Sequence, residues 1–181
     1  YIIAGALIGD NLKIDNIIPE HIESLLFKLN EMGIKYELND NSITLSSSNN
    51  MKPVRVKTLG YPGFPTDLQQ PLTALLVKCN GVSTLEETIY ENRFQNTQYL
   101  NKMGSNIKIV NNQKISIEGP SELIGTEVVA TDLRAGACMV LAGLAANGLT
   151  VINNVEHILR GYENIIEKLS NVGAKISLEE K

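Results

Sequence analysis

LLFKLNEMGIKYEL, residues 25–38, is an amphipathic stretch closed by a glycine and followed by a short strand-like run. It recurs as TQYLNKMGSNIKIV at 97–110 and IIEKLSNVGAKISL at 165–178, with its glycine at Gly33, Gly104 and Gly173, steps of 71 and 69 residues. A second marker keeps the same period. A tight turn precedes a strand-like run at Asp10-Asn11 before LKI, Asn80-Gly81 before VST and Asn147-Gly148 before LTV, in steps of 70 and 67 residues. Two independent markers with one period define a threefold internal repeat. Each unit reads as a helix of small residues, a tight turn, a short strand, an amphipathic helix closed by glycine, then one or two short strands. The expected fold is α/β, one domain of three units at about 1–58, 59–124 and 125–181.

The first helix of each unit, YIIAGALIG, LTALLVKC or LRAGACMVLAGLAA, is apolar around most of its surface, so protein must enclose it. The second helix carries a single stripe. In the first unit this is Ile22, Leu25, Leu26, Leu29 and Met32, and in the third Tyr162, Ile165, Ile166, Leu169 and Val172. The second unit substitutes Arg93, Asn96 and Thr97 ahead of Leu100 and Met103. Two explanations stand side by side: a helix end shifted in register or facing water, or an arginine diverted to bind something.

Composition narrows the setting. With 181 residues, 43% of them hydrophobic, the chain can bury one sizeable core. No run approaches the ~18 apolar residues of a membrane span, and no basic-then-apolar signal segment opens the chain, so a soluble cytoplasmic protein without a membrane partner is expected. A net charge of −4 with no basic tract argues against nucleic acid. His21 and His157 have no partners at zinc spacing, so no metal is expected. Cys79 and Cys138 sit in apolar runs read as helical, which assigns them to the core as inert thiols.

GYPGFPTDLQQP, residues 60–71, places three prolines and two glycines around one acidic residue, Asp67, just before a first helix. Pro65-Thr66-Asp67-Leu68 recurs as Ala130-Thr131-Asp132-Leu133. Thr-Asp in that position caps exposed backbone N–H groups, and capping is the reading each motif supports by itself. The matching pair of the first unit would fall before Tyr1, so the chain is expected to be part of a longer polypeptide.

Arginine is used sparingly: of 16 basic residues only Arg55, Arg93, Arg134 and Arg160 are arginines. The last three sit at matching places of the repeats, each at or near an expected helix start, in ENRF, TDLR and HILRGYE. A planar, permanently charged, two-pronged donor suits carboxylates and phosphates, and helix N-termini add N–H groups to the same end. Surface salt bridging explains any one of them. For three at repeat ends an anion site is the better account.

GYPGFPTDLQQP, ENRF, ATDLRAGA and HILRGYE, in this order and spacing, resemble the UDP-N-acetylglucosamine 1-carboxyvinyltransferase family, enolpyruvyl transferases of bacterial peptidoglycan synthesis. The likeness runs over essentially the whole chain. It implies an inside-out α/β barrel of three repeats with enclosed helices and outer mixed sheets, this chain being most of one of two similar domains, truncated at its N-terminal end. The related 5-enolpyruvylshikimate-3-phosphate synthases share that architecture, but PGFPTD, ENRF and DLRA resemble the UDP-sugar enzymes.

By resemblance, the activity is transfer of the enolpyruvyl group of phosphoenolpyruvate to the 3-hydroxyl of UDP-N-acetylglucosamine, releasing phosphate, without a cofactor. Asp67 inherits contact with that hydroxyl and is the candidate base. Ile89 matches a position whose backbone meets the UDP-sugar; on the residues alone it would be an ordinary core residue entering a helix. Arg160 matches the arginine that grips the phosphate of phosphoenolpyruvate, Arg93 and Arg134 match arginines around the enolpyruvyl group, and Asp132 orients its neighbours and caps its helix. The family's proton-donating cysteine loop and its Lys-Asn pair have no counterpart here, so the chain alone is expected to carry half of a site and not to turn over. A repeat domain that binds an anionic ligand without catalysis, or one that only supports a partner domain, are the alternatives.

Overall fold

The structure, a computed structural model, describes residues 1–179. The elements run α1 (Ile2–Ile8), β1 (Leu12–Asp15), α2 (Glu23–Glu31), β2 (Tyr36–Leu38) and β3 (Ser42–Leu45). They continue with β4 (Arg55–Lys57), α3 (Gln69–Leu76), β5 (Gly81–Glu86), α4 (Asn96–Lys102), β6 (Asn106–Asn111) and β7 (Lys114–Gly119). The remainder is β8 (Glu127–Val129), α5 (Leu133–Leu144), β9 (Val151–Asn153), α6 (Glu156–Leu159) and α7 (Ile165–Asn171).

Both sequence markers become backbone geometry. Asn11, Gly81 and Gly148, which open β1, β5 and β9 or their approach, have φ of 56°, 132° and 91°. The helix-closing Gly33, Gly104 and Gly173 have φ of 78°, 104° and 94°, a region that favours glycine. The residue after each glycine donates its N–H back to the same relative carbonyl, Ile34 to Leu29, Ser105 to Leu100 and Ala174 to Leu169, at 2.9–3.0 Å. One helix-ending motif is therefore built three times.

The first helices lie inside. Every residue of α3 is buried, as are Ile2–Leu7 of α1 and Ala135–Ala142 of α5, and α3 packs against both α1 and α5. Pro71 is tolerated in the first turn of α3, where its missing N–H has no intrahelical acceptor. Leu72, Leu75 and Leu76 are fully enclosed. Burial of such a side chain contributes about 2 kcal/mol. Small residues allow close approach: a Cβ on Gly136 would stand 2.5 Å from Ile158, so α6 rests directly on α5.

The strands flank these helices as three sheets, ordered β1-β3-β2, β4-β5-β7-β6 and β8-β9. The antiparallel pairing of β5, β7 and β6 copies that of β1, β3 and β2, and the parallel β4-β5 pair is matched by β8-β9. The described strands do not close into a barrel; the inside-out arrangement is realised as separate sheets around a helical centre. Strand β4 hydrogen-bonds to β5, so it joins the sheet of the second unit although the sequence division ends the first unit at 58. In the third unit KISL at 175–178 forms no strand. A strand exists only with a ladder partner, and none is present there among the described residues.

The stripe of the second unit stays in the core. Asn96 is 0% and Thr97 4% exposed, so the polar half of α4 does not face water. Asn96 Nδ2 donates to Cys138 Sγ at 3.4 Å, and Thr97 Oγ1 to the Phe94 carbonyl at 2.7 Å. The thiol of Cys138 lies inside α5 as expected. Cys79, also fully buried, falls in the turn after α3 rather than within the helix.

Candidate active site

The turn at 60–68 is held by its own backbone. Phe64 is buried as the anchor, its carbonyl accepts from Leu59 N–H at 2.9 Å, and Gly63 N–H donates to Gly60 at 2.9 Å. Leu68 N–H donates to Pro65 at 3.1 Å, closing the single helical turn Thr66–Leu68 that presents Asp67. The Asp67 side chain is 66% exposed and caps nothing. Arg134 Nε donates to its Oδ1 at 2.5 Å. Its repeat counterpart behaves differently: Asp132 Oδ1 accepts from Arg134 N at 2.7 Å and Ala135 N at 3.1 Å, capping α5. The same Thr-Asp-Leu motif thus serves as a cap in one unit and as an exposed carboxylate in the other.

Arg134 sits in the first turn of α5, whereas Arg93 and Arg160 precede the second helices α4 and α7. The matching places expected for all three arginines are thus realised for Arg93 and Arg160, whereas Arg134 lies on a first helix. Arg93 is half-buried with its guanidinium 4.3 Å from the centroid of the Tyr90 ring, a cation–π contact. Arg160 is exposed, follows α6, and makes no ion pair among the described residues. Two residues on, the half-buried Tyr162 has its phenol pushed up, mainly by burial, with the Arg134 charge pulling it down and that of Asp67 pushing it up.

Ile89 is 44% exposed and lies in the loop between β5 and α4, not in the core where its residue type alone would put it. What fixes this loop is Glu87, which the sequence reading missed. Glu87 is 1% exposed, and its carboxylate accepts four hydrogen bonds. Oε1 takes Thr58 Oγ1 at 2.9 Å, Ile89 N at 2.8 Å and Tyr90 N at 3.2 Å, and Oε2 takes Thr66 Oγ1 at 2.8 Å. A signal was available. Ser83, Leu85 and Glu87 alternate onto one buried face of the chain leaving β5, while Glu86 points outward to Lys57 at 2.9 Å.

The arrangement offers an exposed carboxylate beside a forked cation, a second arginine on an aromatic ring, and a loop held from behind by a buried acid. It is open rather than enclosed, suited to a ligand that a second surface would cover.

Comparison with known proteins gives these features a context. Residues 1–169 match the family model described as EPSP synthase (3-phosphoshikimate 1-carboxyvinyltransferase). The chain is similar to a Geobacillus kaustophilus protein named UDP-N-acetylglucosamine 1-carboxyvinyltransferase 2, 51% identical over 176 residues, 97% of this chain and 41% of that protein. It is also similar to a Bacillus subtilis protein of the same name, 51% identical over 177 residues, again 97% and 41%. The chain thus spans about two-fifths of the length of the curated relatives it matches. Among solved structures it is similar to the enolpyruvyl transferase NikO from Streptomyces tendae, with a TM-score of 0.89 and 28% identity over 97% of this chain and 42% of the other. An EPSP synthase from Acinetobacter baumannii shares the fold, with a TM-score of 0.74 and 19% identity over 98% and 45% of the respective chains.

Proposed function

This chain belongs to the EPSP synthase family of carboxyvinyl transferases, and on that premise we propose that the protein containing it moves an enolpyruvyl group from phosphoenolpyruvate to UDP-N-acetylglucosamine. The acceptor is the 3-hydroxyl of the sugar, and phosphate is released. The observation that carries the reading is the Asp67–Arg134 pair, formed by the two motifs whose residues match the UDP-sugar transferases.

The reaction is an addition followed by an elimination. The sugar oxygen bonds to C2 of phosphoenolpyruvate while the hydroxyl proton leaves and the methylene carbon gains one. Loss of a proton from that carbon and departure of phosphate then restore the double bond. Asp67 orients the attacking hydroxyl and takes the proton it loses; its stiff turn holds the carboxylate without ordering a loop on binding. Arg93, Arg134 and Arg160 face the carboxylate and phosphate of the tetrahedral adduct, each well-aimed donor supplying about 3 kcal/mol of the kind measured in other sites. Asp132 keeps Arg134 in place through the cap. Ile89 meets the UDP-sugar through its backbone.

The remaining part of the polypeptide supplies the facing domain and the proton donor to the methylene carbon. The setting consistent with this chemistry is the cytoplasm and the first committed step of peptidoglycan synthesis; no helix among the described residues is long and apolar enough to cross a membrane. The test is phosphate release by the intact protein. It should require both phosphoenolpyruvate and UDP-N-acetylglucosamine and collapse with Asp67→Ala. Release with shikimate 3-phosphate instead of the UDP-sugar would overturn the proposal.

A further inference from the structure

Glu87 is a carboxylate sealed from solvent, 1% exposed, and among the described residues no basic side chain lies within ion-pair distance. A buried charge without a counter-ion persists only where hydrogen bonds replace its water. Here those bonds come from three separate segments: Thr58 at the end of β4, Thr66 immediately before Asp67, and the Ile89–Tyr90 loop. Thr88 ties two of these segments again, its N–H donating to Thr58 Oγ1 at 2.9 Å and its hydroxyl to the Thr58 carbonyl at 2.5 Å.

The geometry of the loop has a consequence for its outer face. Peptide Ile89–Tyr90 is trans, so its N–H and C=O point in opposite directions. With the Tyr90 N–H aimed at Glu87, the Ile89 carbonyl is turned away from the buried carboxylate, toward the side on which Ile89 and Tyr90 are 44% and 53% exposed. The Ile89 N–H is also committed to Glu87, which leaves the carbonyl as the backbone group offered outward.

We infer that Glu87 is a positioning residue for the acceptor sugar: one carboxylate fixes the Asp67 turn through Thr66 and aims the Ile89 carbonyl through Tyr90. The two groups then face the acceptor as a rigid pair. This inference rests on the function proposed above. The structural need it answers is specific, since Asp67 and Ile89 lie on different loops and neither contacts the other through any hydrogen bond described here.

The experiment uses the intact protein with Glu87→Gln, which keeps the shape and one acceptor oxygen but removes the charge, and Thr66→Val, which deletes a single bond. Losing a charge-assisted bond at this point should raise KM for UDP-N-acetylglucosamine by about 10-fold in Glu87→Gln, with KM for phosphoenolpyruvate changed less than about 2-fold. Hydrogen exchange across residues 87–94 should accelerate by a similar factor, and Thr66→Val should shift the same KM by about 3-fold. A purely structural role would lower activity without separating the two KM values. Active variants with unchanged KM for the UDP-sugar, or with both KM values raised alike, overturn the inference while leaving the proposed reaction intact. A wild-type protein that releases no phosphate with the UDP-sugar overturns the reaction itself, and unaltered exchange at 87–94 would then dismiss the clamp as well.

Discussion

Arg134 donates through Nε to Oδ1 of Asp67 at 2.5 Å, so the arginine of the third repeat is paired with an aspartate of the second. The aspartate of its own repeat, Asp132, takes the Arg134 backbone N–H instead. Two copies of one short motif thereby fix a single arginine, Asp132 through the arginine's main chain and Asp67 through its side chain. The division of labour makes the two aspartates separable by experiment.

Arg134→Lys keeps the charge and discards the fork. Because the pair is exposed, the bridge is worth at most about 1 kcal/mol to the fold, so the melting temperature of the intact protein should move by only a few degrees. Phosphate release should fall by about 100-fold, as expected when one oriented donor to a developing anion is lost. A kcat within about 2-fold of wild type in a steady-state assay would remove Arg134 from the reaction.

Asp132→Ala should behave in the opposite sense for stability. It strips two N–H groups of α5 of their acceptor and should cost about 1 kcal/mol, visible as a lower urea midpoint, whereas Asp132→Asn should recover most of it. Asp67→Ala, which removes no cap, should leave the urea midpoint within about 0.5 kcal/mol of wild type. Equal destabilisation by both alanines would contradict the separation of roles.

Much of this was legible in the chain. A repeat shows in sequence when its punctuation is tied to backbone geometry, and Gly33, Gly104 and Gly173 are such marks because few other residues adopt their φ. The pairing of Asp67 with Arg134, 67 residues apart, has no local signature, and the sequence shows only that their motif recurs; which aspartate would cap and which would stay exposed depends on how far each turn stands from its helix. Glu87 was hidden because an acidic pair, Glu86-Glu87, reads as solvated surface, and only strand alternation turns one of them inward. Asn96 and Thr97, polar where their counterparts are apolar, suggest a register shift or a water-facing helix end for the same reason, since polarity alone does not report a buried partner such as Cys138. Strand β4 was assigned to the first unit because parallel pairing with β5 is a long-range contact with no local signature.

Gly33 offers a clean test of the repeat punctuation. Nothing lies within 4 Å of the position a Cβ would take, so Gly33→Ala carries only the backbone cost of a φ of 78°. That cost is about 1 kcal/mol. Gly33→Asn should be milder because asparagine visits the left-handed region more readily. The comparison of the two urea midpoints decides it, and an alanine variant as stable as wild type would mean that the turn relaxes to another conformation.

The buried thiols give the fold a pH dependence with a defined sign. Burial pushes Cys138 from its ordinary 9.0 up to about 12, and Cys79 up to about 11. In the unfolded chain both release a proton near pH 9.0, whereas in the folded chain they hold it to higher pH. The folded state therefore binds more protons above that point, and unfolding becomes easier as pH rises. Their contribution is fully present below about pH 9 and is lost between there and about pH 11 for Cys79 or about pH 12 for Cys138. Each thiol contributes a slope of up to about 1.4 kcal/mol per pH unit. Lysines and tyrosines titrate in the same range, so the quantity to read is the difference between the intact wild-type protein and its Cys138→Ala variant. That difference in urea midpoint should be constant from pH 7 to about pH 8.5 and should shrink above about pH 9 as the wild type alone loses the thiol's contribution. A difference that stays flat to pH 10.5 would show that Cys138 ionises in the folded protein as readily as in the unfolded chain, and that α5 is open to solvent around it.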